Sequence, residues 1–339
     1  MPVTKPIVVV GSINFDLVSR TERIPVAGET VIGCSFQTFP GGKGANQAVA
    51  ASRLGAQVSM IGKLGSDSFG RELKAGLEQA GVNADAIGCT EGSSGVAQII
   101  TDAKGNNSIT VVPGANAHLL PPDIEANLDL IRSAGAVLTQ LEIPLKTVEA
   151  VGEICTRYSI PFIVDPAPAR PLPDALLESV TWLTPNETET CSLLHYDSQQ
   201  LPDDALEAAA STLLKRGCEN VILKLGARGC YVALSDGTRR LSPSYPVDAV
   251  DTTAAGDAFN GAFVVRLLKE KDPLTAVAWA SAVAAISVTR HGAQPSMPTA
   301  AEVEHFLEKE NKTIRGKGPE EETDCGQPCT GAPITARNR

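Results

Sequence analysis

Short runs of β-branched residues alternate along the chain with longer stretches whose apolar positions recur at helical spacing. Ile7–Val10 has the unbroken apolar character of a strand buried on both faces, closed by Gly11 and a polar turn. An Ala-rich helix is predicted from Gly44 to Leu54, stopping at Gly55, and a second strand over Val58–Ile61. Asp67 is placed to cap a helix that runs through Arg71, Glu72, Leu73 and Leu77 to a stop at Gly81. Ala136–Gln140, Pro161–Val164 and Val221–Lys224 are further β-rich runs between helical stretches. This alternation predicts an α/β fold, with a central, mostly parallel sheet flanked by helices.

Two regions break the pattern. Residues 15–40 and 96–112 carry extended segments and turns such as Lys104-Gly105-Asn106-Asn107. They predict short antiparallel strands in a small second sheet, suited to a lid or an oligomer contact. A further change comes after Glu310, where Pro319, Pro328, Pro333 and the run Glu320–Glu322 replace apolar periodicity. The expected organisation is one domain over 1–310 and a disordered tail over 311–339.

Composition narrows the function. The 339 residues are 43% hydrophobic and 20% charged, enough apolar content for a large core. A net charge of −10 argues against a broad duplex-binding surface, and 4% aromatic residues argue against a stacking platform for single strands. An acidic total does not exclude an anionic small molecule, because backbone N–H groups hold phosphate locally. The longest nearly apolar run, Ala276 to Val288, falls short of the roughly 18–20 residues that cross a bilayer. With no signal-like N-terminus, the expectation is a cytoplasmic protein with no membrane or nucleic-acid partner. The eight cysteines read as ordinary thiols, and Cys325 with Cys329 lacks the further ligands zinc needs.

Four segments carry candidate chemistry. Gly41-Gly42-Lys43-Gly44-Ala45-Asn46-Gln47 enters a helix, where N–H groups, Lys43 and Asn46 suit hydroxyl or anionic groups; a plain Gly-rich turn is the alternative. Asp251-Thr252-Thr253-Ala254-Ala255-Gly256-Asp257 opens another helix, with small residues that leave amides uncovered for a phosphoryl group. Asp257 also suits a helix first turn without any catalysis. Asn186 and Glu189 could order magnesium waters or merely form a capping box. Asn14 and Asp16 follow the first strand, where open α/β sheets bind ligands; a solvated turn is the bland reading. The common P-loop and dinucleotide fingerprints are absent.

The joint order of these motifs resembles that of the ribokinase-like sugar kinases, over about Ile7 to Leu307. Gly41–Gln47 resembles the first signature of that family, Asp251–Asp257 the second, and Asn186–Glu189 its N-x-x-E magnesium motif. Lys224-Leu225-Gly226-Ala227-Arg228-Gly229 resembles its nucleotide-binding strand–turn. The resemblance implies ATP-dependent phosphorylation of D-ribose at the 5-hydroxyl, with another sugar or nucleoside kinase, such as a deoxyribose kinase, or a non-catalytic sugar-binding protein as alternatives. It implies Asp257 as base and Ala254, Ala255 and Gly256 as anion hole. Asn14, Asp16, Gly42, Lys43, Asn46 and Glu142, with Asp257 itself, would hold the sugar. Asn186, residues 224–229, Gly256 and Ser281 would hold the nucleotide. Magnesium would be ordered through water near Asn186 and Glu189. Potassium would sit among Asp251, Thr253, Ser287, Arg290, Gly292 and Ser296. A homodimer through the small sheet is also implied. Two positions depart from the family pattern: Ala254 replaces a frequent Gly, and Asp165 stands where Asn is expected.

Overall fold

A computed structural model describes residues 5–316, with side chains through residue 310. Fourteen strands are formed among them: β1 (Ile7–Val10), β2 (Asn14–Thr21), β3 (Gly33–Gly41), β4 (Val58–Gly65), β5 (Val82–Asn83), β6 (Ile87–Thr90) and β7 (Gly95–Thr101), followed by β8 (Asn107–Val112), β9 (Ala136–Thr139), β10 (Phe162–Val164), β11 (Trp182–Leu183), β12 (Asn220–Lys224), β13 (Cys230–Ala233) and β14 (Arg239–Ser242). The large sheet runs β14-β13-β12-β11-β10-β9-β1-β4-β5, with β6 paired onto β4. Its strands are parallel from β12 to β5, and β13 and β14 add an antiparallel edge.

Strand β1 is buried along its whole length because helices cover both faces. Alternate side chains of a strand point to opposite faces. Ile7 and Val9 therefore join the core under the helices Lys43–Arg53, Ala255–Glu270 and Pro273–Ser287. Val8 and Val10 join a second core under Leu145–Tyr158 and Leu206–Lys215. The segment 276–288 is accordingly a core helix, and no described helix is long and apolar enough to cross a membrane.

The chain builds β1, β4 and β5 to one side of β1, then returns to build β9 through β12 on the other. The carboxyl ends of β1 and β9 thus form a topological switch point, the place where open α/β sheets leave a crevice. Residues 11–14 and 140–142 follow those two ends directly.

The second sheet, in the order β3-β2-β7-β8, is the expected lid region. It is mixed rather than wholly antiparallel: β2 pairs antiparallel with β3 but parallel with β7. The connection from β2 to β7 passes through the large sheet, so the two strands are not a hairpin and can run the same way. The last helix, Ala300–Gly316, runs past the expected boundary at Asn311. Residues 317–339, which hold most of the predicted tail together with Cys325 and Cys329, lie outside the described residues.

Candidate active site

Gly42 makes the entry to the first helix possible. Its φ of 87° is in the left-handed region, and a Cβ there would lie 2.6 Å from the Asn14 backbone nitrogen. The turn after β1 and the start of the helix are thereby held against each other. Three N–H groups of that helix start have acceptors within the protein. The Lys43 N–H donates to Glu142 Oε2 at 3.2 Å, Gly44 N–H to Ser12 Oγ at 3.4 Å, and Ala45 N–H to Ser12 O at 2.9 Å. Glu142 is itself the anion at this positive helix end. It also accepts from Ser12 Oγ at 2.6 Å and Asn14 Nδ2 at 3.4 Å. Asn116 completes the pattern by donating to Asn14 Oδ1 at 2.7 Å.

Asp257 lies in the first turn of Ala255–Glu270 and is 5% exposed. Asn46 Nδ2 donates to its Oδ2 at 3.0 Å, and Gln47 Nε2 to its Oδ1 at 2.9 Å. Burial pushes its pKa up to about 6, against the nearby Lys43 ammonium; the Asp165 charge adds to the rise, and the Asn46 and Gln47 amides resist it. Asp16, on β2, is raised to about 7, first by burial and then by the charges of Glu142 and Asp257, with Lys43 opposing. The Lys43 ammonium is held above its usual range: burial would lower it, but Asp257, Glu142, Asp165 and Glu189 surround it. Two sequence motifs more than 200 residues apart thus meet around one buried carboxylate. Asn46 Oδ1 is buried there with no protein partner, an acceptor free to receive a hydrogen bond from a hydroxyl.

The helix start beside Asp257 has uncovered amides. Ala254 adopts φ 59°, and Ala258 N–H donates back to Ala254 O at 2.8 Å. One member of the predicted anion hole is occupied, since Ala255 N–H donates to Thr252 O at 3.2 Å within the turn. Gly256 and Asp257 N–H have no backbone acceptor among the described residues.

A cavity of about 510 Å³ opens on the other side of that helix start. Lys224, Gly226, Ala227, Gly229, Gly256 and Ser281 line it, together with Ala284 and Ala285 of the small-residue helix. Three positions assigned to it from sequence lie elsewhere. Leu225 is a core side chain. Arg228 turns away to pair with Glu187 at 2.9 Å and with Asp203, and it donates to Leu201 O at 2.7 Å. Asn186 does not line the cavity.

Asn186 and Glu189 form the capping box. Glu189 N–H donates to Asn186 Oδ1 at 2.8 Å, and Asn186 N–H to Glu189 Oε2 at 2.7 Å. Burial and the Asp165 charge raise the Glu189 pKa, against Lys224 and the Asn186 amide. The capping role does not exhaust this carboxylate, which lies buried within the charge cluster of the site.

Asp251 ties two loops together by accepting from Thr253 N–H and Gly292 N–H, each at 2.9 Å. Its burial would raise the pKa, but these hydrogen bonds prevail and keep it low. Ser287 and Ser296 lie buried at the same loops, their hydroxyls donating to Ala284 O and Ala293 O. The Arg290 guanidinium is drawn away to Glu302 at 2.6 Å.

Sequence reasoning gave no role to Gln47, Gln140, Asn116, Ser12 or Asp165. Gln47 donates to both Asp257 and Asp165, and Gln140 donates to Gln47 Oε1 at 2.6 Å. Gln140, Ser12 and Asp165 each follow the carboxyl end of a central strand, which is the signal that could have found them.

The profile of the pfkB family of carbohydrate kinases matches residues 4–300. A ribokinase of Bacillus subtilis (strain 168) is 45% identical over 303 residues, 89% of this chain and 99% of that protein. A deoxyribokinase of Salmonella typhi is 36% identical over 305 residues, 89% of this chain and 98% of that protein. Among solved structures, Arabidopsis thaliana ribokinase complexed with ribose and ATP has a TM-score of 0.83 at 33% identity, covering 90% of this chain and 99% of that one. The two sequence motifs that meet around Asp257 and the near-complete match in length agree, and the chain belongs to the pfkB family of carbohydrate kinases.

Proposed function

We propose that this protein transfers the γ-phosphoryl group of ATP to the 5-hydroxyl of D-ribose, giving D-ribose 5-phosphate and ADP. The observation that carries the reading is the position of Asp257. It sits between the cavity of about 510 Å³ and the polar cluster of Asp16, Lys43, Asn46 and Glu142, at a helix end with uncovered amides. Its raised pKa of about 6 leaves it ionised yet basic at neutral pH, as a general base should be. The hydroxyl oxygen forms a bond to γ-phosphorus while the bond from γ-phosphorus to the bridging oxygen breaks. The hydroxyl proton passes to Asp257, and ADP leaves with the electron pair. Phosphoryl transfer is catalysed mainly by positioning and charge stabilisation. Gly256 and Asp257 N–H supply the anion hole, with Lys224 on the same wall of the cavity.

Asp16, Asn14, Glu142, Lys43 and Asn46 hold the sugar, with Gly42 bringing their backbones together. The Asn46 Oδ1 acceptor receives a sugar hydroxyl. Adenine lies against Ser281, Ala284 and Ala285. The buried Glu189 carboxylate beside Asn186 suits a cation held through water, and Mg²⁺ there would neutralise phosphate charge. The charged Asp251 carboxylate, with the loop carbonyls at Thr253, Ser287, Arg290, Gly292 and Ser296, suits a large monovalent cation such as K⁺, which would stiffen the loop before the anion hole.

The small sheet supports a homodimer. Its register places Ile109 and Val111 on the face that carries Asp16, and both are exposed. A cytoplasmic location agrees with the need for ATP.

ADP release measured across D-ribose, 2-deoxyribose, other pentoses and nucleosides tests the activity. The highest kcat/KM is expected with D-ribose. A higher value with 2-deoxyribose would make the protein a deoxyribokinase, and ribose binding without ADP release would make it a non-catalytic sugar-binding protein.

A further inference from the structure

One largely buried ion pair links the wall of the nucleotide cavity to the neighbourhood of Asp257. Asp165 follows β10 and is 2% exposed. Its Oδ1 lies 3.0 Å from Lys224 Nζ, and its Oδ2 accepts from Gln47 Nε2 at 2.9 Å. The same Gln47 Nε2 donates to Asp257 Oδ1 at 2.9 Å. Gln140 donates to Gln47 Oε1, so the Gln47 amide cannot turn over without losing all three bonds. At the other end, the Lys224 ammonium lies 3.3 Å from where a Cβ on Gly256 would stand. Lys224, Asp165, Gln47 and Asp257 therefore form one continuous line from the wall of the nucleotide cavity to the base. Stability alone gives no reason to keep such a pair, because buried ion pairs are often replaceable by apolar residues without loss.

We propose that Asp165 is a positioning residue for phosphoryl transfer: it holds the Lys224 ammonium at the helix start where the terminal phosphates arrive, and it holds the Gln47 amide on Asp257. This rests on the kinase reading above. Asparagine cannot do the same work at this position. Two donors, Lys224 Nζ and Gln47 Nε2, converge on the two oxygens of Asp165. An amide offers one oxygen and one NH₂, which leaves a donor facing a donor.

The test uses the double variant D165N/K224M, which removes both charges of the pair together and leaves the net charge of the site unchanged. Its melting temperature is expected within a few degrees of the parent, and its ribose Kd within about twofold. Its kcat is expected to fall about tenfold or more, the cost of losing the Lys224 charge together with the hold on Gln47. D165N alone should lose at least as much. Parental kcat in the double variant would overturn the proposal and leave the pair a packing detail. A ribose Kd weakened as much as kcat would overturn it too, by showing general damage to the site. If the double variant does not fold at the assay temperature, K224R decides. It keeps the charge and the partner but displaces the point of charge. A fall in kcat at unchanged melting temperature supports the proposal, and parental kcat overturns it. Failure of the kinase reading would appear instead in the parent protein, as no ADP release with any sugar.

Discussion

The two sheets answer opposite demands. Strands β1, β9 and β10 of the large sheet are buried on both faces and read as plain apolar runs. Strand β8 of the small sheet is exposed along its whole length, and β3 for most of its own. The large sheet delivers the groups that must not move: Asp257, Lys224, Asp165 and the helix-end amides, all set at strand ends or helix starts. The small sheet contributes Asp16, beside Asn14 at the root of the same strand. In the proposed reaction the chemistry is fixed by the buried layer, and sugar capture is shared with the exposed one. Asp257, carried by the first, should affect turnover, and Asp16, carried by the second, should affect binding.

The largest expected effect sharpens this division. Asp257→Asn should lower kcat by roughly 10²–10⁴, the usual contribution of a general base, while ribose binding stays near parental. Steady-state kinetics alongside calorimetric ribose titration checks this, and equal losses in both would dissolve the division. In the parent enzyme the rate should fall as pH drops through about 6. The raised Asp257 carboxyl is then protonated and cannot accept the hydroxyl proton. A pH–rate profile flat between 5 and 8 would remove Asp257 from the role.

Asp16→Ala should act on the other side. Above pH 8, where the raised Asp16 carboxyl is ionised, charged hydrogen bonds contribute ~1.5–3 kcal/mol each, so loss of two would weaken ribose binding roughly a hundredfold or more. ATP binding should be unchanged. Equal weakening of both substrates would mean that the small sheet is part of the rigid frame after all.

Ile109→Asp with Val111→Asp should separate the two subunits of the proposed dimer, because exposed apolar side chains of that sheet would become charged. Sedimentation equilibrium should show monomer for the variant and dimer for the parent. A dimer in both would place the contact elsewhere.

Potassium should raise turnover several-fold over sodium at matched ionic strength, because carbonyl oxygens and one carboxylate suit a large cation. Simple screening would act alike for both salts, so equal rates would refute the site.

The smallest effect concerns Ala254. A non-glycine residue at φ 59° costs about 1 kcal/mol, so Ala254→Gly should raise unfolding free energy by about that amount in urea titration. A loss of stability would show that Ala254 packing outweighs the backbone cost.

Legibility in the sequence followed burial. The β1 run Ile7–Val10 and the Asp67 cap, which accepts from Gly70 N–H at 2.8 Å, were plain because each is a local pattern with a local cause. The Asp257 neighbourhood was legible as motifs, though not as a contact. Periodicity does not say that Asn46 and Gln47 reach across 210 residues to one carboxylate. The parallel pairing of β2 with β7 was hidden for the same reason, since alternation fixes which face is buried but not which strand lies alongside. That Glu142, far away in sequence, accepts from a helix-start amide after Gly42 was not legible either. Arg228 was misplaced because its partners Glu187 and Asp203 lie in other elements.

The most direct measurement is the identity of the product formed from ATP and D-ribose. Phosphorus-31 NMR with proton coupling should show one new phosphomonoester, coupled to the two protons on carbon 5, appearing in step with ADP. A phosphate coupled to the proton on carbon 1, or ADP accumulating with inorganic phosphate and no sugar ester, would contradict the account.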